Sequence, residues 1–140
     1  MIQNMTEAAL AARENAYAPY SGFFVGAALR GESGRIYTGC NVENASYSMG
    51  ICAERSAVFQ ALASGEKRFR TLAVSGGRTN EDAKLIPCVP CGACLQVLSE
   101  FCSPDFPILL ADGVHKLSDF LPVQFNLSSL SQFGCHRDER

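Results

Sequence analysis

Three cysteines and one glutamate carry the chemistry that this sequence advertises. Cys52 precedes Glu54 by two residues, and Cys91 and Cys94 stand in the run Pro90-Cys91-Gly92-Ala93-Cys94. Thiolates are good zinc ligands. A structural zinc takes four protein ligands, whereas a catalytic zinc takes three and keeps a position open for water. Zinc lowers the pKa of that water from 15.7 to about 7, and a positioned acid or base that moves its protons adds typically ~10²–10⁴-fold in rate. Residues two apart do not share a helix face. Glu54 is therefore expected to face the open position as an acid/base rather than to ligate beside Cys52. The plainer reading, an acid favoured by a first helical turn, loses weight beside three ligands.

The chain has seven cysteines: Cys40, Cys52, Cys88, Cys91, Cys94, Cys102 and Cys135. An odd number without a secretory signal argues against a disulfide framework and for metal or thiol chemistry. Cys88-Val89-Pro90-Cys91 is a second C-x-x-C, but Cys88 precedes a proline and falls in extended chain. Cys91 and Cys94 instead open a helix, three residues apart on one face. Cys40 and Cys102 read as small buried hydrophobes, and Cys135 with His136 falls in a polar C-terminal segment.

The elements that must position these residues follow from periodicity and punctuation. Residues 6–17 read as a first helix, closed by Pro19 and Gly22. Residues 24–29 and 35–41 read as two strands of a hairpin around Gly31-Glu32-Ser33-Gly34. A helix over residues 52–63 ends at Gly65. A strand over 71–75, a polar loop over 76–85, a helix over 91–101 and an apolar strand over 107–111 complete the pattern. A turn of helix is expected near 117–121. Both ligand groups thus open helices, where the positive end of the dipole favours a thiolate. The order β-β-α-β-α-β after a leading helix implies an α/β domain with helices covering a mixed sheet. A single domain is expected over 1–127, with 128–140 a polar tail.

Bulk composition excludes several classes. The chain is 47% hydrophobic and 19% charged with a net charge of −2. It offers no basic surface for nucleic acid, no membrane-length apolar run and no signal-like start. A cytoplasmic protein without membrane or nucleic-acid partners is expected.

Four blocks of sequence resemble the cytidine deaminase family, in its short homotetrameric form. They are residues 17–29 (Tyr17-Ala18-Pro19-Tyr20-Ser21-Gly22-Phe23 onward), residues 39–47 (Gly39-Cys40-Asn41-Val42-Glu43-Asn44-Ala45-Ser46-Tyr47), Cys52-Ala53-Glu54-Arg55, and residues 90–101. An acid two residues after a first Cys or His ligand, followed by P-C-x-x-C, is the signature of zinc nucleobase deaminases. The resemblance implies a three-layer α/β/α fold with a mixed five-stranded sheet, one zinc ion per subunit held by Cys52, Cys91 and Cys94, and Glu54 as proton shuttle. It implies hydrolytic deamination of cytidine and 2′-deoxycytidine at C4 in pyrimidine salvage, by a homotetramer with shared sites. Asn41 and Glu43 would hold the ribose 3′-hydroxyl, and Phe23 and Ala53 would line the nucleoside site. Ala45 and Tyr47 would reach the ribose of an adjacent subunit, Phe125 would stack on a neighbour's base, and Arg55 would support the sulfurs. Independently, Asn41 and Glu43 could serve turn chemistry at a strand exit, and Phe23 and Phe125 could be packing residues.

One position departs from the family pattern: Leu95 stands where an arginine usually follows the second cysteine. Three thiolates on Zn²⁺ leave a net charge that a neighbouring arginine offsets. With Arg55 alone remaining, a Leu95→Arg variant is expected to keep zinc and shift the pH–rate profile. Two other functions share the zinc motif: deamination of a cytosine-containing antibiotic of the blasticidin type, and a structural zinc module. The block Asn41-Val42-Glu43-Asn44 favours a ribose ligand over the antibiotic. The structural module needs a fourth ligand from Cys88 or the tail. Polynucleotide editing lacks an electrostatic footing.

Overall fold

The computed structural model describes residues 2–131. Its elements in chain order are α1 (Ile2–Arg13), β1 (Phe24–Gly31), β2 (Ile36–Cys40), α2 (Ala53–Ala63), β3 (Phe69–Gly77), α3 (Asn80–Leu85), α4 (Gly92–Phe101), β4 (Pro107–Leu110), β5 (Gly113–Lys116), α5 (Leu117–Phe120) and α6 (Leu127–Ser131). The sheet has five strands in the order β2-β1-β3-β4-β5. The β3–β4 pair is parallel and the other pairs are antiparallel, so the sheet is mixed.

Period-two alternation sends the two faces of β1 to two cores. Val25, Ala27 and Leu29 join Ala57, Val58 and Ala61 of α2 and Leu95 and Leu98 of α4 in the larger apolar cluster. Ala28 joins Met5 and Ala9 of α1, with Ala73 and Leu109, in the smaller one. Helices therefore cover both faces, which is the expected three-layer arrangement. Small residues allow tight contact where helix meets sheet. At Gly39 of β2, a Cβ would come within 2.5 Å of both Ala53 O and Ala57 N, so the start of α2 lies almost directly on the strand. Among the described residues no helix is long and apolar enough to cross a membrane.

Several boundaries differ from the sequence expectation for identifiable reasons. The first helix ends at Arg13 rather than Tyr17. Glu14, Asn15 and Ala16 tighten to i→i−3 bonds, and Tyr17 is pulled into a bridge, donating to Asn41 O at 3.0 Å and accepting from Glu43 N at 2.8 Å. The loop expected over 76–85 contains α3, started by Thr79, whose hydroxyl accepts from Asp82 N at 3.0 Å. That is a local N-cap, overlooked because the helix after it is only six residues long. The strand expected over 71–75 extends at both ends to 69–77 through its pairing with β1. β5 gives no periodic signal of its own and forms by pairing antiparallel with β4. Cys52 and Cys91 cap their helices in extended backbone rather than lying within them. The segment read as a tail begins with helix to Ser131, and Cys135 and His136 lie outside the described residues.

Candidate active site

The N-termini of α2 and α4 meet on the same side of the sheet and bring three sulfurs together. The Sγ atoms of Cys52, Cys91 and Cys94 all lie within 4.8 Å of one another. Cys52 and Cys91 are 3.6 Å apart, and Cys91 and Cys94 3.5 Å. A tetrahedral zinc with sulfur bonds of about 2.3 Å wants sulfurs roughly 3.8 Å apart, so the donor set fits the ion in both chemistry and spacing. Cys88 is not part of this group. Burial raises the pKa of its thiol to about 11, and it lines a cavity wall outside the triad.

The sulfur most ready to ionise is that of Cys52. Hydrogen bonding with Cys94 holds its thiol well below the usual value, at about 5; burial opposes this, and Arg55 adds to it. Arg55 Nη2 donates to Cys52 Sγ at 3.4 Å. Cys94 is pushed upward by its bond to Cys52 and by burial. Three thiols packed this closely cannot all ionise without a cation, and a divalent ion removes that conflict.

Glu54 lies beside the cluster in the first turn of α2 and is 4% exposed. Burial raises its carboxyl above the ordinary carboxylate range, and the charge on Cys52 adds to the rise. A buried glutamate with a raised pKa is suited to acid/base work. It opens on a cavity of about 350 Å³ that Cys52, Ala53, Glu54, Cys91, Asn41 and Glu43 line together. Phe23, Val25, Ser21, Cys88 and Val89 form the remaining walls. Phe23, 38% exposed, lines this space and belongs to neither apolar cluster.

Asn41 and Glu43 also brace the loop that carries Phe23. Asn41 Oδ1 accepts from Val25 N and its Nδ2 donates to Phe23 O, both at 2.8 Å. Glu43 Oε1 accepts from Tyr20 N at 3.0 Å and Ser21 N at 3.1 Å, while Oε2 accepts from the Ser21 hydroxyl. The Ser21 hydroxyl keeps the Glu43 carboxyl below its usual range. The turn role foreseen for these residues is therefore real, and it coexists with their place on the cavity wall.

The remaining sequence-nominated residues stand apart. Tyr47 is 82% exposed and lines a neighbouring cavity of about 370 Å³ with Tyr20, Ser21, Glu43, Asn44 and Gly50. Its ring packs edge-on to Tyr20 with centroids 6.1 Å apart. Ala45 is exposed in the loop before it. Phe125 is 57% exposed on the segment after α5 and does not line the cavity of its own chain. Leu95 sits in the larger apolar cluster at 5% exposure, so a Leu95→Arg substitution would carry a charge into the core as well as alter the field at the sulfurs. Ser21, Cys88 and Val89 reach the cavity only through loop geometry, for which the sequence has no periodic signal.

The residues that hold these sulfurs coincide with a known pattern. Residues 1–110 match the family model described as the cytidine and deoxycytidylate deaminase zinc-binding region. The chain belongs to the cytidine deaminase family. These are zinc-binding hydrolytic deaminases that act on C–N bonds. Cytidine deaminase from Sporosarcina psychrophila is 46% identical over 125 residues, covering 86% of this chain and 88% of that one. The enzyme of Halalkalibacterium halodurans is 44% identical over 134 residues, covering 92% and 97%. Among solved structures, the cytidine deaminase of Burkholderia pseudomallei superposes with a TM-score of 0.78 at 47% identity, covering 88% of this chain and 98% of that one. Family membership and the sulfur triad agree in making zinc the metal of this site.

Proposed function

We propose that the protein hydrolyses cytidine and 2′-deoxycytidine to uridine and 2′-deoxyuridine, releasing ammonia, as a cytoplasmic homotetramer serving pyrimidine salvage. The observation that carries this reading is the shared cavity. The buried acid Glu54, two sulfurs of the triad (Cys52 and Cys91), the Asn41 amide and the Glu43 carboxylate line it together, and Cys94 completes the triad beside them.

Cys52, Cys91 and Cys94 would hold the zinc ion, which when bound would supply a water acidic enough to ionise near neutral pH. The work of the chain is then positioning and proton transfer. Glu54 takes the proton released from water and delivers it to N3 of the base, which makes C4 electrophilic. A C4–O bond forms, Glu54 moves the proton of the new C4 hydroxyl to the exocyclic nitrogen, and the C4–N4 bond breaks to give ammonia and the 4-oxo product. Burial raises the pKa of Glu54, which favours the protonated form needed to give a proton back. Phe23 and Ala53 pack on the base, while Asn41 and Glu43 bond the ribose 3′-hydroxyl with the acceptor capacity that loop bracing leaves unused. Arg55 draws charge from Cys52 so that the metal stays a strong Lewis acid.

Support for shared sites comes from exposure: Tyr47 and Phe125 are apolar rings left open on a single chain. In the homotetramer, Ala45 and Tyr47 meet an adjacent subunit's ribose and Phe125 a neighbour's base. The deciding experiment follows the loss of cytosine absorbance with zinc-loaded protein and cytidine, using Glu54→Gln as control. Turnover that falls at least ~10²-fold in the variant, with zinc retained, is expected. Equal turnover by the variant would remove Glu54 from the chemistry. Turnover of a cytosine antibiotic but not of cytidine would replace the substrate.

A further inference from the structure

The segment after α5 is tied to α4 by a side-chain hydrogen bond. Gln96, two residues beyond the ligand Cys94, donates from Nε2 to Phe125 O at 2.9 Å. On the other side of Phe125, Asn126 Oδ1 accepts from Ser128 N at 3.0 Å and from Ser129 N at 3.4 Å. Asn126 N in turn donates to Ser129 Oγ at 3.3 Å, a reciprocal cap at the start of α6. The backbone at Phe125 is thus fixed from both sides while its ring stays 57% exposed. An exposed ring needs no such bracing for the stability of its own chain. A ring presented to a partner does, because a loose segment would lose its backbone freedom at each binding event.

We propose that Gln96 is a positioning residue for the active site. Its amide sets the backbone at Phe125 so that the exposed ring is preorganised to enter the base-binding cavity of an adjoining subunit. This rests on the reading above that Phe125 serves a neighbour's cavity. Helix α4 then has two roles: its first turn supplies Cys94 to one site, and its next exposed position aims an aromatic toward another. Gln96 is itself exposed and belongs to neither apolar cluster, so loss of its amide should leave the fold and the metal in place.

The test is a double-mutant cycle read as KM and kcat for cytidine on the zinc-loaded oligomer. Gln96→Met keeps the side-chain length and removes the donor. It is expected to raise KM about 3–10-fold, the worth of one hydrogen bond, with kcat and zinc content close to the parent. Phe125→Ala is expected to raise KM by itself, and the double variant to be no worse than Phe125→Ala alone. Gln96→Glu replaces the donor by an acceptor and should raise KM in the same way, which keeps the test readable if Gln96→Met folds poorly. If Phe125→Ala raises KM and both Gln96 variants leave it unchanged, or if the two effects are fully additive, the role of Gln96 is overturned and that of Phe125 stands. If Phe125→Ala leaves KM unchanged, both fall.

Discussion

Glu54 and Arg55 are neighbours in sequence with opposite electrostatic tasks. Burial raises the Glu54 pKa, so the folded protein binds a proton there more tightly than the unfolded chain does. Stability from this group is full below the unfolded carboxylate value and falls as pH rises through the folded one. Metal-free Glu54→Gln should therefore melt higher than metal-free parent, by a margin that widens as pH rises above the ordinary glutamate range. A thermal melt series over pH checks this, and a constant margin would show that Glu54 ionises without cost. Arg55 works on Cys52, whose thiol is held at about 5 by its bond to Cys94 and then by Arg55. Removing the guanidinium in Arg55→Ala should raise the Cys52 pKa and weaken zinc roughly 10–100-fold, read by competition with a chromophoric chelator. Cys88→Ala should leave zinc affinity unchanged, since its sulfur lies outside the group that could hold the metal.

At the scale of elements, the site depends on how closely α2 approaches the sheet. Gly39 faces backbone atoms of α2, not flexible side-chain ends. A Gly39→Ala methyl would have to push the helix start, with Cys52 and Glu54, away from β2. We expect Gly39→Ala to cost about 1–3 kcal/mol in denaturant unfolding and to lower zinc content at equal protein concentration. A variant with normal stability and normal zinc would mean that α2 can slide without disturbing the sulfurs. Both ligand-bearing helices were legible from local signals: Pro90 before Cys91, Gly65 after α2 and the apolar spacing between them. Helix α3 and strand β5 were not. The first depends on a single cap at Thr79, and the second exists only because β4 offers it an edge. Neither has the periodicity that makes longer elements readable.

For the whole molecule, the metal and the assembly are the terms that remain to be measured. A metal held by Cys52, Cys91 and Cys94 would tie the starts of α2 and α4 together, so binding energy at the sulfurs would also be folding energy. Stripping zinc with a chelator should lower the melting temperature and restoring it should recover it. At zinc levels about 1,000-fold above Kd the stabilisation is about 4 kcal/mol. A melting temperature indifferent to zinc would place the ion outside this cluster. Light scattering on the zinc-loaded protein is expected to report four chains per particle, and a stable monomer with full activity would end the shared-site reading.

The sequence by itself determined the donor set, the acid beside it and the family, because these are matters of residue type at short spacing. It also determined that helices would cover a mixed sheet, through long apolar periodicities. Only the tertiary structure decided that Cys88 stands outside the sulfur group and that Leu95 faces the core. It alone joined Asn41 and Glu43 to Glu54 across one cavity and tied Gln96 to Phe125. These pairings link residues up to dozens of positions apart through sheet register and loop closure. No local propensity encodes such distances, and only packing α2 against β1 and β2, with α4 beside α2, resolves them.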